Sequence, residues 1–142
     1  MDYSMRGISL GATLQDVTGS FMAANIPYNG KVRAAVGWEI TGMTSHTYWL
    51  IVLYGISGQP LTNWWGTAAQ ITGLGQSRVD NIDTQLSGIA PGTYDAVVYV
   101  AETFDISSHA VSGVYDSKTY TGAITIQQSL GARIVSVNFS SV

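Results

Sequence analysis

Residues 86–102, LSGIAPGTYDAVVYVAE, constrain the fold more than any other stretch. Pro91-Gly92 is strong turn punctuation. Past it, Tyr94, Ala96, Val98 and Val100 occupy alternate positions of a β-rich run. That alternation predicts a strand entered through a turn, with one face buried. Residues 31–41 repeat the signal: Val32, Ala34, Val36, Trp38 and Ile40 alternate with Arg33, Ala35, Gly37 and Glu39. Period-two alternation of this length argues a half-buried strand.

Residues 47–55, TYWLIVLYG, break the rule in an informative way. Tyr48, Leu50, Val52 and Tyr54 supply one apolar face, and Trp49, Ile51 and Leu53 supply another. An antiparallel strand with one wet face alternates in polarity. This one is therefore expected to be covered on both sides, either by a long loop or terminus of its own chain or by another subunit.

Further strands are expected at 78–86 with Ile82, Thr84 and Leu86 inward, and at 118–126 with Tyr120, Ile124 and Ile126 inward. A last one is expected at 132–142, with Val135, Val137 and Phe139 on one face. Residues 57–75 read as a turn-rich loop holding Trp64 and Trp65, and 103–117 as a loop or hairpin connection. Residues 1–30 read as an extended arm or short edge strand that ends in the turn chemistry of Pro27-Tyr28-Asn29-Gly30. About seven strands with Gly-rich turns call for an all-β sandwich or barrel. The expected division is an arm at 1–30, a sandwich at 31–127 and an extra strand at 128–142.

A chain of 142 residues is the size of one domain and can bury a core without staples. It has no cysteine, so disulfides and thiolate metal sites are excluded. Charged residues make up 11%, well under the roughly 25% of ordinary domains. With four Trp and eight Tyr, that surface is expected to be covered by a partner. A net charge of −3 and six scattered basic residues argue against nucleic acid. No apolar run approaches the ~20 residues of a membrane-spanning helix. The first residues, MDYSMRGISLG, lack the basic-then-apolar order of a Sec signal, so use without Sec export is expected.

Chemistry has few candidates. Ser107 or Ser108, His109 and Asp105 can be assembled on paper into a triad, but triads are built from distant segments. His46 stands alone in a predicted turn. Asp80, Asn81 and Asp83 offer oxygens for Ca²⁺ without EF-hand spacing, and a solvated turn is the simpler reading. Asn138-Phe139-Ser140 matches the N-glycosylation sequon, which chance often produces. No catalytic residue, metal site or cofactor is expected. The adjacent Trp64 and Trp65 suit a plug at the open end of the fold, a protein interface or a sugar platform.

From residue 31 to 126 the chain resembles an immunoglobulin-like, fibronectin-type module. The resemblance rests on Trp38 in an early strand, on the turn before Tyr94, which is similar to a tyrosine corner, and on the TYTGAITI strand. Such modules occur in bacterial and archaeal surface proteins and in phage virions. The resemblance implies an antiparallel β-sandwich. The added segments at both ends are similar to those of capsid-decoration proteins, an analogy of architecture. The expectation is a non-catalytic virion structural protein that associates with itself in a closed symmetry such as a trimer, and with a capsid lattice. Trp49, Trp64, Trp65, Val135, Val137 and Phe139 are its expected interface. The alternatives are a surface adhesion or carbohydrate-binding module using Trp64 and Trp65, or a strand-donating extracellular filament subunit.

Overall fold

The computed structural model describes residues 10–15, 21–128 and 134–142. Two sheets pack face to face. The smaller has the order β1-β3-β6, from β1 (Ala12–Leu14), β3 (Lys31–Ile40) and β6 (Gln76–Gln85). The larger has the order β2-β8-β7-β4-β5, from β2 (Ala24–Ile26), β8 (Val111–Ile126), β7 (Gly92–Phe104), β4 (His46–Gly55) and β5 (Trp65–Gly73). All pairings are antiparallel except β2 with β8. The chain crosses between sheets at β1–β2, β2–β3, β3–β4, β5–β6 and β6–β7, and the architecture is an immunoglobulin-like sandwich.

The inward faces are those the alternation marks. Val32, Val36, Trp38 and Ile40 from β3 meet Tyr48, Leu50, Val52 and Tyr54 from β4 and Ala96, Val98 and Val100 from β7. Trp38 is fully buried, edge-on to Tyr48 at 5.8 Å. Its indole N–H donates to Asp80 Oδ2 at 2.7 Å, and Arg78 grips the same carboxylate at 2.7 and 2.9 Å. The turn before β7 is a tyrosine corner, with the Tyr94 hydroxyl donating to the Ala90 carbonyl at 2.6 Å. Leu86, which enters that corner, is fully buried.

Three expectations change. Residues 65–73 form β5, an edge strand of the larger sheet, where a loop was expected. Gly66 makes that pairing possible, since a Cβ there would strike the Val52 carbonyl and the Leu53 side chain. Asp80, Asn81 and Asp83 lie in β6 and in no turn. Residues 134–142, expected as a strand, pair with no strand of the described chain. Within the expected arm or short edge strand at 1–30, β1 forms an edge of the smaller sheet on β3 and β2 an edge of the larger sheet on β8. The Ile8-Ser9 part of the N-terminal reading lies outside the described residues.

Candidate functional site

The second face of β4 is covered by the chain itself. Gly55 ends the strand, and residues 56–64 turn back through a single 3-10 turn, Leu61–Asn63. This lays Trp64 over Ile51, Leu53, Val97 and Ala101 on the outside of the larger sheet. The Trp64 indole N–H donates to the Gln59 carbonyl at 3.2 Å, and its ring rests where a Gly55 Cβ would stand. Trp64 is 7% exposed, so it plugs an outer face and leaves Trp65 as the accessible member of the pair. Trp49 belongs to the same cover, half-buried beside Phe104 at 5.9 Å.

The β7–β8 hairpin tip holds the residues of the paper triad, and its bonds serve the turn. Asp105 Oδ1 accepts from the Ser107 N–H at 2.9 Å and the Ser107 hydroxyl at 2.8 Å. These bonds hold the Asp105 carboxyl below its ordinary range. His109 Nδ1 donates to the Leu61 carbonyl at 2.9 Å, tying the tip to the 3-10 turn, and its ring stacks on Phe104 at 5.7 Å. The serine hydroxyl therefore meets the carboxylate, while the imidazole faces another segment. A relay from serine to histidine to aspartate is absent from this arrangement.

One polar cluster had no signal in the sequence, because its members are far apart. His46 opens β4 rather than sitting in a turn, and its Nε2 donates to Glu102 Oε2 at 2.8 Å across 56 positions. The Tyr115 hydroxyl donates to the same oxygen at 2.6 Å. Together the Tyr115 and His46 bonds lower the Glu102 pKa. Burial, then the bond to Glu102, pushes the Tyr115 phenol up to about 12. An ionised carboxylate with two donors on one oxygen is a weak base, so the cluster ties β4, β7 and β8 together. Of the candidate Ca²⁺ ligands, the Asp80 and Asp83 carboxylates are also engaged. Asp80 is held by Arg78 and Trp38, and Asp83 by Arg33 at 2.8 and 3.0 Å, on opposite faces of β6.

Of the candidate residues, those left at the surface are apolar. Trp65 is 40% exposed, its ring perpendicular to Tyr94 at 5.7 Å. Residues 134–142 are exposed throughout, with Val135 at 87%, Val137 at 60% and Phe139 at 92%. The segment carries no charged side chain. The three expected interface positions of the C-terminal segment thus share one uncovered stretch, while Trp49 and Trp64 lie in the outer-face cover.

No protein family matches this chain, and no curated protein is similar to it in sequence. Among solved structures it is similar to the CARDB domain of a Pyrococcus furiosus protein, solved in complex with di-metal ions. The two share 10% identity at a TM-score of 0.48, over 82% of this chain and 88% of that one.

Proposed function

We infer that this chain is a non-catalytic structural module of a molecular surface, and that it works by associating with copies of itself. The observation that carries the reading is the uncharged, alternating segment 134–142, whose valines and phenylalanine stand in solvent with no strand beside them. Monomeric proteins rarely leave such stretches open, and apolar exposure of this kind marks association surfaces. The low charge of the whole chain supports the same reading, because little repulsion holds copies apart. Taken narrowly, such a module decorates a capsid; taken broadly, it is a unit of a cell-surface layer, and the broader form is adopted. The test is solution molar mass by light scattering for the full chain and for a chain ending at Gln127. An oligomer that falls to monomer on truncation is expected. A full chain that is monomeric at every concentration removes the reading.

Trp65 favours one second reading, glycan binding. Its exposed ring beside Tyr94 is a small stacking platform. Binding on a glycan array that is lost in Trp65→Ala and kept in the chain ending at Gln127 supports it. An array with no signal discards it.

A further inference from the structure

Among the described residues, the smaller sheet has an unfinished edge. β3 pairs with β6 along its whole length, Lys31–Ile40, but with β1 only at Trp38, Glu39 and Ile40. One further bond, from the Gln15 N–H to the Gly37 carbonyl at 2.8 Å, carries that pairing to the last described residue of this segment. It also sets the parity of the strand. Gly37 turns its carbonyl away from β6, so the backbone groups of Ala35 and Arg33 face the same side. Among the described residues no strand pairs there. Residues 31–36 present roughly 20 Å of edge, at about 3.3 Å per residue.

Beside this edge a groove of about 910 Å³ opens between the two sheets. Its walls are mostly apolar, with Val36, Val52, Val98 and Ile124 among them, while Arg33, Lys118 and Thr119 also line it and the exposed Phe21 and Met22 border it. A free strand edge beside an apolar groove accepts an added strand, the backbone bonding to the edge and alternate side chains filling the groove. Segment 134–142 has the matching properties: period-two apolar side chains, no charge, no strand partner and enough residues to span the edge.

We propose that residues 134–142 of one copy lie along the 31–36 edge of a second copy. They pair with Arg33 and Ala35 and seat Val135, Val137 and Phe139 in the groove. This rests on the self-association inferred above and adds the acceptor. The occupant is a second copy because the segment leaves its own groove open and its own side chains exposed. Donor and acceptor are different patches, so each copy gives one strand and takes one, and the contact runs head to tail.

The test uses two full-length variants. Ala35→Pro blocks the acceptor: proline is tolerated in a strand where the N–H faces an open edge, and no β3–β6 bond is lost. Val137→Asp disables the donor. Each alone is expected to reduce the scattering mass from oligomer to monomer with the β-sheet spectrum unchanged. Their equimolar mixture is expected to recover a heterodimer of twice the monomer mass and nothing larger, since one partner keeps its groove and the other its tail. A wild-type chain that assembles while the mixture stays monomeric overturns the groove and leaves self-association standing. Amide exchange on the wild-type chain gives a reading that needs no variant. Protection gained at Arg33 and Ala35 as the oligomer forms is expected, and unchanged exchange there overturns the proposal. A wild-type monomer with both amides already protected puts the chain's own tail in the groove and overturns the second copy as occupant.

Discussion

Asp80 shows how one carboxylate fixes a core residue at the sheet face. Trp38 is fully buried, and its indole N–H has Asp80 as its acceptor. Asp80→Ala leaves that donor without a partner, at a cost of about 1–3 kcal/mol, which urea unfolding measures. The Arg78 bonds, with a smaller contribution from Trp38, hold the Asp80 pKa below its ordinary value. A carboxyl lowered on folding adds stability above its unfolded pKa of roughly 4, and that contribution is lost as pH falls through the folded value. Stability should therefore fall below about pH 4 in the wild type, and this part of the fall should be smaller in Asp80→Asn. A wild-type and variant with parallel pH profiles would refute the linkage. Tyr94→Phe removes only the corner bond to Ala90 and should cost about 0.5–1.5 kcal/mol. Both Trp38 and Tyr94 were legible in the sequence as core positions, because alternation marks a buried face. The strand at 78–86 was legible too, but Asp80 as the partner of Trp38 was not, since alternation does not say which strand lies beside β3.

At the level of single elements, β4 and its cover make the sharpest case. Its two apolar faces announced that something lies on each side, and both covers are internal, β3 and β6 within the sandwich and the Trp64 loop outside it. Trp64→Ala exposes Ile51 and Leu53 and should cost about 3–5 kcal/mol, the range of a large aromatic lost from a core. Dye binding to the uncovered face should rise with it. Trp65→Ala, at a half-open position, should cost clearly less in the same unfolding experiment. Equal losses would mean that the assignment of plug and platform is wrong. Gly55→Ala should resemble Trp64→Ala, because the added Cβ displaces the same ring. Sequence patterning failed at β5 for a physical reason. It holds Gly66 and Gly73, and Thr67 interrupts the face of Trp65, Ala69 and Ile71 while Ala68 shares the other with Gln70 and Thr72, so period-two hydrophobicity is weak. Such an edge strand is specified by the Thr and backbone groups it meets, as in the Thr67 hydroxyl bond to the Asp83 carbonyl at 2.8 Å. The reverse error came at 134–142, where a good strand pattern has no strand partner among the described residues. Alternation reports that a segment can be a strand, and says nothing of which molecule supplies the neighbouring edge.

For the whole molecule, the question is whether one short tail can hold copies together. Full burial of a valine or phenylalanine contributes about 1.5–3 kcal/mol, and each main-chain bond about 0.5–1.5 kcal/mol net. Three such side chains and a few bonds stand against an association cost of about 4–15 kcal/mol. The balance gives an interface that forms at high local concentration and dissociates on dilution, which suits a surface layer better than a solitary protein. Its salt dependence follows from its chemistry. Segment 134–142 has no charged side chain, so screening, which weakens exposed ion pairs at high ionic strength, has nothing to weaken. Excluded salts such as sulfate strengthen burial of apolar surface. The oligomer mass of the full chain should therefore hold or rise as ammonium sulfate is added. Its melting temperature should climb with protein concentration, because assembly stabilises the folded state by mass action. The chain ending at Gln127 should show neither response. Dissociation of the full-length oligomer by salt would instead assign the contact to the chain's few charged residues and away from its tail.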